Sequence, residues 1–85
     1  MVTTQQLRAA RSALRWSIEQ LSQHSGVSVR TIKKVEAIET GSSVKDSTIQ
    51  KLKTALETAG IEFIGSPDDR PGIRIGLPKH ANRSD

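Results

Sequence analysis

Apolar side chains recur at helical intervals as far as Gly60 and then switch to alternation, dividing the chain into a helical part and a strand part. Leu7, Ala10, Arg11 and Leu14 share one face of a helix over residues 4–14, and Thr3 stands three residues before Gln6 as a capping box. Arg15 and Trp16 turn the chain. Ser17 with Gln20 then opens a second helix near residues 18–24, with Ile18 and Leu21 inward. Gly26 supplies the backbone freedom for a second turn, Val27 plugs the core, and Ser28 caps a third helix running to about Ile38, whose inner residues are Ile32, Val35 and Ile38. After a polar break from Glu39 to Ser43, Asp46 or Ser47 (with Gln50 three residues on) caps a fourth helix over residues 48–59. Ile49, Leu52, Ala55 and Leu56 give that helix its apolar face, and Gly60 ends it.

Beyond Gly60, Ile61, Phe63, Ile73 and Ile75 alternate with Glu62 and Arg74 around a turn from Ser66 to Pro71. Pairing Ile61 with Ile75 and Phe63 with Ile73 also sets Glu62 opposite Arg74, so apolar and charged partners both match. A lone hairpin is marginal in water and must pack on something. Two readings stand: a patch on the chain's own core, or a dimerisation element built on Ile61, Phe63, Ile73 and Ile75. The division expected is 1–60 for the helical domain, 61–77 for the hairpin and 78–85 for a polar, disordered tail.

Arg11 interrupts an apolar stripe. A guanidinium turned inward needs a carboxylate, and Glu36 at the end of the third helix is the partner the pattern offers. The third helix meanwhile leaves Val29, Arg30, Thr31, Lys33 and Lys34 on its other sides, a cationic and hydrogen-bonding face that suits a DNA groove.

Composition sharpens this in two ways. The chain has 85 residues, enough for one small domain for which dimerisation is a reasonable expectation. Its net charge of +4 is unevenly placed: residues 1–36 hold Arg8, Arg11, Arg15, Arg30, Lys33 and Lys34 against Glu19 and Glu36, while the remainder is balanced. The excess therefore sits where a polyanion is suspected. No cysteine is present, which removes disulfides and thiolate chemistry, and no apolar run is long enough to span a membrane. No phosphate-cradling glycine motif and no histidine–carboxylate constellation argues for an enzyme, and Trp16 and Phe63 alone make no platform for single-stranded RNA. No cofactor is called for, and the expected location is cytoplasmic.

The stretch from Ser17 to Glu36, with Leu21, Gly26, Ser28, Ile32 and Glu36 in place, resembles the Cro and phage-repressor (XRE) type of helix-turn-helix regulator over residues 5 to about 60. The resemblance implies a mainly α, lambda-repressor-like bundle of four or five helices, here followed by the β-hairpin. It also implies an arginine of the first helix paired with a glutamate ending the third, where this chain has Arg11 and Glu36. Base contacts would fall to Ser28, Val29, Arg30, Thr31 and Lys34, and phosphate contacts to Lys33, Arg15, Ser17, Ile18, Ser42 and Lys45. Two positions depart from the pattern: Ile18 replaces a common glutamine, and Ser22 a common alanine. The function expected is a sequence-specific transcriptional regulator, a repressor, binding double-stranded DNA as a homodimer on a palindromic operator. The alternative is an antitoxin-like or adaptor protein that binds DNA through the same unit and a protein partner through the C-terminal strands.

Overall fold

The computed structural model describes residues 2–37 and 45–76. The order is α1 (Thr4–Ala13), α2 (Ile18–Ser25), α3 (Val29–Ala37), α4 (Asp46–Thr58), β1 (Ile61–Ser66) and β2 (Asp69–Ile75). The chain is thus mainly helical with a two-stranded antiparallel sheet after the helices. Ile38, the polar break containing Ser42, Leu77 and the tail 78–85 lie outside the described residues.

Both predicted capping boxes form. Thr3 Oγ1 accepts from the Gln6 amide at 3.0 Å while Gln6 Oε1 accepts from the Thr3 amide at 2.8 Å, and Ser17 and Gln20 repeat the exchange at 3.0 and 2.8 Å. Each box satisfies two helix-end donors that would otherwise have only water. α1 ends in a Schellman closure, with the Arg15 amide donating to the Ser12 carbonyl at 2.9 Å and the Trp16 amide to that of Arg11 at 3.1 Å. The left-handed residue that this closure needs is Arg15, at φ 59°, where glycine is the usual occupant. Between α2 and α3 the same conformation falls to Gly26, at φ 77°.

The fourth helix differs from expectation. It starts at Asp46, two residues before the expected start at 48, with Lys45 at the N-cap and no side-chain cap from Asp46 or Ser47. The Lys45 carbonyl takes the amides of Thr48 and Ile49 at 3.0 and 3.2 Å, so the backbone closes the first turn unaided.

Leu7, Ala10, Leu21, Val27, Ile32, Val35, Leu52, Ala55, Leu56 and Ile61 form one buried cluster, drawing on every helix and on β1. The hairpin shares that core, so the boundary after Gly60 separates elements rather than cores. Its register is Ile61 to Ile75, Glu62 to Arg74, Phe63 to Ile73 and Ile64 to Gly72, the pairing expected from the alternation. The turn is tighter than expected: Ser66 and Asp69 still pair, leaving only Pro67 and Asp68 between the strands. The ladder survives because Arg70 and Pro71 together face Gly65 in a bulge, with Gly65 at φ 76° and Arg70 at φ 50°.

The four hairpin residues expected at a dimer interface fare differently. Ile61 is 3% exposed and committed to the chain's own core, and Phe63 and Ile73 pack against it half-buried. This corrects the assignment for Ile61, whose apolar surface is already covered. Ile75, 66% exposed, keeps its surface available.

One buried polar side chain fixes the hairpin to the helices. Gln6 is 5% exposed, and its Nε2 donates to the Ile64 carbonyl at 3.0 Å and the Gly72 carbonyl at 2.9 Å. With its Oε1 accepting in the capping box, both donors and the oxygen of the amide are engaged.

Candidate nucleic-acid interface

α3 is amphipathic by spacing. Ile32 and Val35 are buried, so at 100° per residue Arg30 and Lys34 fall in the middle of the opposite face, flanked by Lys33 on one side and Thr31 on the other. Arg30, Lys33 and Lys34 are exposed, Thr31 and Val29 half-buried. Among the described residues none of the three cations has a carboxylate partner. Arg30 and Lys34 stand at i and i+4, a like-charge arrangement that costs an isolated helix about 0.2–0.5 kcal/mol. This concentration of unpaired donors complements phosphate oxygens and the acceptor edges of bases.

The start of α3 is organised by Ser28. Its Oγ accepts from the Thr31 amide at 3.2 Å and donates to Thr31 Oγ1 at 2.9 Å. Both hydroxyls assigned to base contact are therefore already bonded to each other.

The helix is held at its far end by Arg11. The guanidinium forks onto Glu36, Nε to Oε2 at 2.7 Å and Nη2 to Oε1 at 2.8 Å, with Nη1 donating to the Trp16 carbonyl at 2.9 Å. The two side chains are 19% and 10% exposed. The hydrogen bonds to Glu36 raise the Arg11 pKa, partial burial opposes them, and the Coulomb attraction of Glu36 adds to the rise. Arg8 adds a bond that the pattern did not suggest, its Nη1 donating to the Glu36 carbonyl at 3.1 Å. α1 thereby grips the last turn of α3 by side chain and backbone, fixing where the cationic face points.

The residues expected at phosphate are spread over three helix ends. Arg15 and Ser17 are exposed at the α1–α2 turn, and Lys45 is exposed at the start of α4. Ile18 is half-buried with its side chain on the core, so only its backbone amide, at the open N-terminus of α2, is placed to meet an anion. Glu19 in that same first turn opposes an anion there. Ser42 lies outside the described residues. Trp16 packs against the core as expected, and its indole also stacks on the exposed His24 imidazole, centroids 4.1 Å apart and planes within 4°. Two turns of α2 separate these residues, a spacing too weak as a sequence signal to reveal the stack. Among the described residues no three histidine, aspartate or glutamate side chains cluster as metal ligands, and no helix is long and apolar enough to cross a membrane.

Compared with known proteins, the chain matches no family model and no curated sequence.

Proposed function

We propose that this chain is a sequence-specific, double-stranded-DNA-binding transcriptional regulator of the Cro and phage-repressor helix-turn-helix kind. It acts as a homodimer that represses by occupying a palindromic operator, with α3 in the major groove. The observation that carries the reading is the outward face of α3, where Arg30, Lys33 and Lys34 stand exposed and, among the described residues, free of carboxylates on a helix clamped through Arg11 and Glu36. A purely structural surface gains nothing from three unpaired cations on one short helix. A polyanion repays that repulsion by releasing counterions. Arg30 and Lys34 are assigned to guanine O6 and N7, Val29 to a thymine methyl, and Lys33, Arg15 and Lys45 to phosphate.

Selection from random duplex DNA with the purified chain, run beside light scattering, tests this. The expected result is a palindromic consensus with half-sites about 34 Å apart and a dimeric mass. Arg30→Ala relaxes the preference at one position at a cost of about 1–3 kcal/mol, while Lys33→Ala weakens all sequences alike. Absence of any enriched sequence, with an affinity indifferent to salt and to both substitutions, refutes the proposal.

The exposed Ile75 also favours a second reading, in which the hairpin holds a different protein while α3 holds DNA, as in an antitoxin-like or adaptor protein. Co-purification of a stoichiometric partner separates it from the homodimer.

A further inference from the structure

We propose that the outer edge of β2 is the seam of the homodimer: β2 of a second copy adds to it antiparallel, with Ile75 facing the partner's Ile75 across a twofold axis, to make one four-stranded sheet. The inference deepens the homodimer part of the reading above and uses no contact to DNA.

The ladder fixes which backbone groups are free. Gly76 donates its amide to the Gly60 carbonyl at 2.7 Å, and these two residues stand directly opposite in the register that pairs Ile61 with Ile75. Gly60 with Gly76 is therefore a hydrogen-bonded pair, and because such pairs alternate along an antiparallel ladder, Ile61 with Ile75 and Phe63 with Ile73 are not. Ile73 and Ile75 thus aim their N–H and C=O groups away from β1, and among the described residues nothing bonds them there. The edge is blunted near the turn, where Pro71 has no N–H and the bulge distorts the strand, but not from Gly72 onward. Ile75 lies in that open part and is the only large apolar side chain exposed among the described residues. An open edge beside an exposed apolar side chain is a template for strand addition.

A second copy meets this edge in one good register. The outward groups belong to Ile73 and Ile75, so the twofold axis falls at residue 73, 74 or 75. At 73 the pairing sets Pro71 against the partner's Ile75 and forfeits a bond, because proline has no N–H to give. At 74 it sets Arg74 against the partner's Arg74, and like charges directly opposite destabilise. At 75 it joins the two Ile75 side chains and puts Arg74 beside the partner's Gly76, away from like charge. The same pairing orients the domains. Ile61, Phe63 and Ile73 turn to the helical core while Glu62 and Arg74 face solvent, so the helices lie on one face of the hairpin. A twofold axis normal to the joined sheet keeps both helical domains on that one side, as two half-sites of a single duplex require.

The test uses the full-length chain, which has no cysteine of its own. In this register the two Cα atoms at position 75 stand about 5.5 Å apart, within the range of about 4.4–6.8 Å that a disulfide spans. Ile75→Cys, oxidised with diamide in the absence of DNA, is expected to cross-link about tenfold faster than Ser66→Cys at the exposed hairpin tip. Ile75→Pro isolates the backbone. The Ile75 N–H is unused inside the hairpin, so circular dichroism should show an unchanged fold while light scattering shows a monomer, and Ile75→Val should remain dimeric. Equal cross-linking rates for the two cysteines, or a dimer that survives Ile75→Pro, overturns the inference. A wild-type chain that is monomeric in light scattering overturns it together with the homodimer. A dimer that passes these tests but enriches no DNA sequence refutes the DNA reading and leaves the seam standing.

Discussion

Arg15→Gly separates fold from function at a single residue. Arg15 holds the left-handed position of the α1 closure at φ 59°. That conformation costs a residue with a Cβ about 1–2 kcal/mol, and glycine occupies it freely. Glycine also gains freedom in the unfolded chain, which takes back about 0.5–1 kcal/mol. The side chain is exposed and no ion pair or side-chain hydrogen bond to it is found among the described residues, so its loss removes no stabilising contact. The net expectation is a gain of between about 0 and 1.5 kcal/mol, a rise in melting temperature of up to roughly 10 °C for a domain of this size. If Arg15 meets phosphate, affinity for duplex DNA falls at the same time, and the slope of log K against log salt drops by about 0.9. Arg15→Ala keeps the backbone cost and should lose the affinity without the stability gain. Thermal melting and a salt titration by fluorescence anisotropy measure both quantities. A glycine variant destabilised by 1 kcal/mol or more refutes the strain reasoning. One that is stabilised with an unchanged salt slope refutes the phosphate contact and leaves the strain reasoning standing.

Three further changes probe the scaffold. Arg11→Lys keeps the charge but cannot fork onto Glu36 while also reaching the Trp16 carbonyl, and urea denaturation should show a loss of about 1–3 kcal/mol. Gln6→Glu replaces the amide donor to the Ile64 and Gly72 carbonyls with a carboxyl that must be protonated to donate, so burial and the two facing oxygens raise its folded pKa above the unfolded value of about 4.3. The variant's stability should therefore be greatest below about pH 4 and fall as pH rises through the folded pKa, whereas Gln6→Leu should lose stability with no such dependence; identical pH profiles would discard the donor role. Gly65→Ala drives a Cβ to 2.3 Å from the Arg70 carbonyl oxygen at φ 76° and should cost more than about 2 kcal/mol, while Gly72→Ala, whose nearest neighbour is Ile64 Cγ1 at 3.5 Å, should be neutral or stabilise by up to about 1 kcal/mol.

Features set by near neighbours in sequence were legible in the sequence. Thr3 with Gln6 and Ser17 with Gln20 announce their helices because a capping box needs only its own residues, and Gly26 announces its turn for the same reason. The strand register followed from alternation, since a slip by one residue turns every apolar side chain to the wrong face. α4 began early because Lys45 does not look like a cap and a backbone carbonyl carries no sequence signal. The bulge was hidden for a related reason: Gly65 and Arg70 share a distortion that neither shows alone. At the α3 face the residue types were legible, but the grip of Arg8 on the Glu36 carbonyl and the stack of Trp16 on His24 are tertiary geometry. Gln6 shows the limit most clearly, because its local role as a cap concealed its second role as a tether to the hairpin.

That tether bears on how the chain is made. Gln6 meets carbonyls 58 and 66 residues further along, and Ile61 fills the last place in a core whose first member is Leu7. At translation speeds of about 5–20 residues per second, roughly 3 to 13 seconds separate the synthesis of Gln6 from that of Gly72. Through that interval the nascent helices hold an unsealed apolar surface and an amide without its acceptors. Completion is thus tied to the arrival of β2, and a ribosome that stalls before Gly72 would display a chain able to form helices but unable to close.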